Sequence, residues 1–277
     1  MRSRLLITDL DGTLLDSRLE LDSRDIEAAR RAQSVGNMIG IATGRMYKSA
    51  LPYAQQLETR LPLICYQGAL IQELPSDGEP GAVLSRLEVG PEVALPILEL
   101  ARSKNYALNV YQDDELLVDA ITPDVEFYIS IGQVEPVVAK APPLEERLRN
   151  GSTKLTLVVA DLERFPNVMA EVRELVGDRA EVTRSLVGFC EITAKDVNKG
   201  AAIGWLCKHL GVETAQVIAI GDAPNDITML AAAGSPVAVE TASEDILRAA
   251  EWVTLGPGAG GLAAVVSHYQ LDRASLD

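Results

Sequence analysis

The stretch LLITDLDGTLLDS, residues 5–17, decides how this chain is read. A short apolar run rich in strand formers ends at Asp9 and Asp11, two positions apart, and breaks at once into Gly12-Thr13. An unbroken apolar run of this length fits a strand buried on both faces, as in parallel sheets covered by helices. In such sheets ligands bind beyond the carboxyl ends of the strands. Two carboxylates left at that point mark a place to look for chemistry.

Working outward, DSRDIEAARRAQSVG (22–36) predicts a helix with Asp22 as N-cap and Gly36 as its stop. NMIGIAT (37–43) is a second buried strand, a helix follows from Met46 to about Leu57, and LPLICYQG (61–68) is a third strand. The rhythm returns late: a helix from Lys199 to Leu210, strand AQVIAIGD (215–222), helix NDITMLAAAG (225–234), strand SPVAVE (235–240), helix SEDILRAA (243–250) and strand EWVTL (251–255). Both ends therefore belong to one α/β domain with a parallel sheet. The middle differs. YALNVYQ, ELLVDA, TKLTLVVA and AEVTRSLVGFCEIT favour hairpin-like strand pairs, and PEVALPILELARSKN and DLERFPNVMAEVRELVG favour helices. The expected organisation is a core of residues 1–84 and 188–277 with residues 85–187 inserted as an α+β unit. LPSDGEPG (74–81) reads as the turn leading into it.

The 277 residues carry a net charge of -15 and are 47% apolar. That balance argues for a globular protein and against nucleic acid or an anionic membrane as partner. Cys65, Cys190 and Cys207 form no C-x-x-C pair and read as buried free thiols of a reducing compartment. His209 and His268 are too few for a histidine metal site and read as helix-surface or packing residues. The first apolar run stops at Thr8-Asp9, too soon for a secretory signal, and no later run approaches a membrane span, which gives the expectation of a cytoplasmic protein.

Every group fit for chemistry falls at a strand end or a helix start. Asp9 and Asp11 follow the first strand, Thr43, Gly44 and Arg45 the second, and Gly221, Asp222, Asn225 and Asp226 the late one, while Lys199 opens a helix. Asp9, Asp11, Asp222 and Asp226 would repel each other without a cation, and a set of hard oxygen ligands selects Mg²⁺. Thr43, the amides around Gly44 and the Lys199 ammonium are the donors and positive charge that a phosphoryl group needs. One carboxylate beside phosphorus can act as nucleophile, and a second can handle the proton.

DLDGT (9–13), TGR (43–45), Lys199 in NKG and GDAPND (221–226) resemble the four ordered motifs of the haloacid dehalogenase superfamily of phosphohydrolases. The long insertion and GDAPNDITMLAAAGSPVAV are similar to the Cof-type subfamily of capped sugar-phosphate and cofactor phosphatases. The resemblance implies a Rossmannoid core with an inserted cap, Mg²⁺ as cofactor and a small phosphorylated metabolite as substrate. It implies Asp9 as nucleophile and metal ligand, and Asp11 as general acid/base whose carbonyl meets the metal. It further implies Asp222 as metal ligand and Asp226 as a carboxylate behind it. Thr43, Gly44, Lys199 and Asn225 would bind phosphate, and Arg45 the loop or substrate. Gln67-Gly68 stands where relatives often have Asn-Gly, and Glu240-Thr241-Ala242 where they have Gly-Asn-Ala. A phosphomutase on the same core and a phospho-aspartate sensor are the alternative readings, and the oligomeric state is open between monomer and homodimer.

Each motif has an ordinary reading alone: a turn for D-x-D-G-T, a surface charge for Lys199, a helix cap for Asp222 to Asp226. Their occurrence together, in order and each at a strand end or helix start, favours the site.

Overall fold

The computed structural model describes residues 4–132, 134–184 and 188–273. The chain divides into two compact units, one of residues 1–85 and 198–277 and one of residues 86–197.

In the first unit, β1 (Leu5–Thr8) leads through α1 (Ser23–Ser34), β2 (Met38–Ile41) and α2 (Tyr47–Gln56) to β3 (Leu63–Cys65), β4 (Leu70–Gln72) and β5 (Val83–Arg86). The intervening unit holds α3 (Pro91–Lys104), β6 (Ala107–Gln112), β7 (Glu115–Val118), α4 (Pro123–Gly132), β8 (Val137–Val138), α5 (Leu144–Arg147), β9 (Lys154–Val158), α6 (Phe165–Val176), β10 (Ala180–Arg184) and β11 (Phe189–Ala194). The chain then returns through α7 (Lys199–Leu210), β12 (Val217–Gly221), α8 (Ile227–Ala232), β13 (Ser235–Val239), α9 (Glu244–Ala249), β14 (Trp252–Thr254) and α10 (Gly261–His268).

The main sheet has the order β14-β13-β12-β1-β2 with every pair parallel. All four residues of β1 are buried, as a central strand with two covered faces requires. Each fully buried Leu or Ile of this kind stabilises the fold by about 1.5–3 kcal/mol. The third strand is not an ordinary continuation of this sheet. β3 meets the β2 side through one parallel bridge, Ala42 to Ile64, and otherwise pairs antiparallel with β4 in a separate sheet of order β3-β4-β5. Residues 74–81 form the turn between β4 and β5, ahead of the unit boundary, with Asp77 and Gly78 both at positive φ.

The second unit is a six-stranded sheet of order β10-β11-β9-β6-β7-β8, antiparallel except for β7 with β8. One face carries Leu108, Val110, Leu155, Leu157, Cys190 and Ile192, packed with the apolar sides of α3 and α6. The other carries Asn109, Tyr111, Lys154, Thr156, Glu191 and Thr193, all buried. Lys154 and Glu191 form an ion pair of 2.7 Å there, and the Tyr111 hydroxyl lies 2.6 Å from that of Tyr128. This unit ends at Val197, not at Val187, a position outside the described residues. The boundary moves because β11 pairs with both β9 and β10 and so belongs to the inserted sheet.

Helix limits follow local chemistry. The Asp22 side chain accepts from the Arg24 amide at the start of α1, and Gly36, just past its end, has φ 91°. His209 stacks on Trp205 and His268 on Trp252, so both histidines are packing residues. The three cysteines are buried and free. Among the described residues no helix is long and apolar enough to cross a membrane.

Asp25 links α1 to α10: buried, it accepts a hydrogen bond of 2.8 Å from the Ala263 amide in the first turn of α10. Burial pushes its carboxyl up to about 6, against the pull of that amide. The folded state therefore holds a proton that the unfolded chain has released, and stability falls as pH rises from the usual carboxylate range through about 6. Asp25→Asn should abolish this dependence and raise stability above pH 6 by up to about 3 kcal/mol. Urea titrations of both proteins from pH 4 to about 8 provide the check, and parallel curves would rule the linkage out.

Candidate active site

Parallel pairing of β2, β1 and β12 brings three loops to one edge of the main sheet. Asp9 follows β1 and its amide bonds the Ile220 carbonyl of β12 at 3.0 Å. Thr43 follows β2 and its amide bonds the Ile64 carbonyl at 2.9 Å. Asp222 follows β12, and Lys199 is the first residue of α7, after the N-cap Asn198. All the residues expected from the sequence lie in the unit of residues 1–85 and 198–277.

At the centre, the fully buried Lys199 Nζ sits 2.7 Å from Asp9 Oδ1 and 2.6 Å from Asp226 Oδ1. The other oxygen of Asp226 accepts from the amides of Asp222 and Ala223, at 3.0 and 3.1 Å. Asp226 is thus consumed on both oxygens. It orients the lysine and pins the loop that carries Asp222. Asp222 Oδ1 accepts from the Thr13 hydroxyl at 2.7 Å. That bond ties the β12 loop to the β1 loop, and the sequence reading assigned Thr13 no role. Gly12 between them has φ +77°, and a Cβ there would collide with an Asp222 carboxylate oxygen. Only glycine suits both the turn and the close approach.

Electrostatics point the same way. Burial pushes the Asp9 carboxyl well above its usual range, with Lys199 pulling down and Asp226, Asp222 and Asp11 pushing up. Burial and Asp226 push Asp222 up to about 6, against the Thr13 hydrogen bond. Burial pulls the Lys199 ammonium down, but Asp226 and Asp9 outweigh it and hold it above the ordinary amine value. One ammonium leaves the surrounding carboxylates with excess negative charge.

Oxygens of Asp9, Asp222 and Asp226 all lie within 4.8 Å of one another, so the donor set fits a hard divalent cation. With Asp226 occupied, Asp9 and Asp222 are the carboxylates that can hold it. The Asp11 side chain stands outside this group. Both its oxygens accept from Arg45, from Nε at 2.7 Å and Nη2 at 2.6 Å. Arg45 itself rests on the Tyr53 ring, 5.2 Å from its centroid. The expected loop or substrate arginine is therefore a clamp on Asp11. The Thr43 hydroxyl is buried and accepts from the Arg45 amide at 3.2 Å, and Asn225 donates through Nδ2 to Gln67 Oε1 at 3.1 Å.

This arrangement gathers on one sheet edge a buried carboxylate paired with an ammonium, a carboxylate cluster that fits a cation, and a further carboxylate, Asp11, held by an arginine. The model of the haloacid dehalogenase-like hydrolases matches residues 6–266. The 5-amino-6-(5-phospho-D-ribitylamino)uracil phosphatase YwtE of Bacillus subtilis is 26% identical over 282 residues, spanning 94% of this chain and 96% of that protein. Among solved structures, TM0651 from Thermotoga maritima is 31% identical with a TM-score of 0.81, over 99% of this chain and 98% of that one. The HAD subclass IIB sugar phosphatase BT4131 is 25% identical with a TM-score of 0.84, over 97% of this chain and 100% of that one. The strand order, the loops that converge on Lys199 and these matches along the chain agree: the protein belongs to the haloacid dehalogenase-like hydrolase family.

Proposed function

We propose that this phosphoric monoester hydrolase is Mg²⁺-dependent, acts on a small phosphorylated metabolite, and works through a phosphoryl group carried on Asp9. The observation that carries the reading is the buried Lys199 ammonium between Asp9 and Asp226, with Asp222 alongside. An unprotonated carboxylate held by a fixed cation and a metal site is a nucleophile with its charge already compensated.

In the first step an Asp9 oxygen forms a bond to phosphorus while the ester P–O bond breaks, and the leaving oxygen takes a proton from Asp11. In the second, Asp11 takes a proton from water as the water oxygen bonds phosphorus, the Asp9–phosphorus bond breaks and phosphate departs. Asp11 must free one oxygen from the Arg45 fork to do this. Lys199, the Thr43 hydroxyl and the amides around Gly44 hold the phosphoryl oxygens, and Asn225 contacts the bound substrate. Asp9, the Asp11 carbonyl and Asp222 would hold the Mg²⁺. When bound, the ion supplies neutralisation of the charge that builds on the phosphoryl oxygens. Residues 86–197 are the cap that selects the leaving group. The substrates named for YwtE and BT4131, a ribitylamino-uracil phosphate and sugar phosphates, support a hydroxyl-rich sugar phosphate or phosphorylated cofactor.

Phosphate release from a panel of sugar phosphates, nucleotides, pyridoxal phosphate and flavin mononucleotide, with Mg²⁺ or EDTA, tests the reading. Release should require the metal, fall to background in Asp9→Asn, and drop by about 10²–10⁴-fold in Asp11→Asn. Relocation of phosphate within the substrate without net release would make the protein a phosphomutase, and a stable adduct without turnover would make it a sensor. Lys199→Met strands two buried carboxylates without their cation and should cost about 3–5 kcal/mol at neutral pH. Urea unfolding measures this, and a loss under about 1 kcal/mol would show that Lys199 is not their main compensation.

A further inference from the structure

The turn after β3 lies outside the four motifs, yet it reaches two of them. Tyr66 and Gln67 both take left-handed backbone, with φ 51° and 62°, a conformation that costs a non-glycine residue about 1 kcal/mol or more. Their amides bond the carbonyls of Arg45 and Thr43, each at 3.0 Å, so the turn is stitched to the phosphate-binding loop. Gln67 is 3% exposed, and its side chain runs past Gly44, where a Cβ would collide with the Gln67 amide nitrogen. At its far end Oε1 accepts from Asn225 Nδ2 at 3.1 Å. One buried side chain thus spans from the β2 loop to the β12 loop.

The bond to Gln67 also fixes which way the Asn225 amide faces. With Nδ2 committed to Gln67, Asn225 Oδ1 is left buried, and among the described residues it has no hydrogen-bond partner. A buried carbonyl oxygen without a donor costs free energy that a bound group can recover. A dianionic phosphate has no hydrogen to give, so it cannot be the partner of this atom. A hydroxyl can.

Building on the phosphatase reading, we propose that Gln67 is a positioning residue: it clamps the Asn225 amide so that Asn225 Oδ1 accepts a hydrogen bond from a hydroxyl of the bound phosphate ester. Selectivity for hydroxylated leaving groups then originates partly in the catalytic unit itself. The conservative replacement Gln67→Glu keeps an acceptor for Asn225 Nδ2, whereas Gln67→Met fills the same space without one. A shorter Gln67→Asn withdraws the acceptor from reach.

The test compares kcat/KM for the best sugar phosphate of the panel with that for phenyl phosphate, which has no hydroxyl. Gln67→Met should lower the ratio of the two about tenfold, the worth of one buried hydrogen bond, and Gln67→Glu should restore most of it. An equal loss on both esters would mean a merely structural role, and unchanged kcat/KM on both would mean no role; either result overturns the proposal. Hydrogen exchange of the Asn225 side-chain amide, followed by NMR without turnover, separates the two readings. Slow exchange in the wild type and fast exchange in Gln67→Met support the clamp, and equal exchange rejects it even if phosphate release stands. Failure of the wild type to hydrolyse any ester would instead overturn the phosphatase reading, and with it the hydroxyl contact.

Discussion

Everything at the edge of the main sheet where β1, β2 and β12 end depends on a single ammonium. Lys199 is fully buried, and it is held there only because Asp9 and Asp226 meet it at 2.7 and 2.6 Å. Removing an ion from water costs several kcal/mol, so the arrangement survives only if both carboxylates arrive in the right place. That requirement fixes the helix start at Lys199, the end of β1 and the turn after β12 relative to each other. The adjacency of β1 and β12 in the sheet delivers it.

Around this centre the groups that would do chemistry are held by groups that do none. Asp226 spends both oxygens on Lys199 and two amides, Thr13 ties down Asp222, and Arg45 forks Asp11. The excess of carboxylate over ammonium is left for a cation to resolve. Burial first, and the neighbouring carboxylates second, raise the proton affinity of Asp9 and Asp222. A positive ion placed there would lower both.

The second unit solves a different problem. Its antiparallel sheet buries one face against α3 and α6 with aliphatic side chains, and lines the other with amides, hydroxyls and the Lys154–Glu191 pair. Strand alternation produces this division directly, since residues two apart share a face. Asn109, Tyr111, Lys154, Thr156, Glu191 and Thr193 fall on one side for that reason. A polar buried face costs more to desolvate than an apolar one.

The sequence by itself determined which residues gather at one edge of the main sheet. Apolar runs that stop at acidic or Thr-Gly positions marked the strand ends, and these ends are neighbours because parallel strands align them. Local signals also sufficed for α7 at Lys199–Leu210 and for Asp22 as the cap of α1. What only the tertiary structure decided are the pairings that cross from one loop to another. The fork of Arg45 on Asp11, the Thr13 bond to Asp222 and the reach of Gln67 to Asn225 leave no trace in spacing, because their partners lie 34, 209 and 158 positions apart. The same holds for β3, whose apolar run suits either sheet, and for β11, which a boundary drawn on composition split from its partners. A strand's sequence states that it is buried, but hydrogen-bonding neighbours state where.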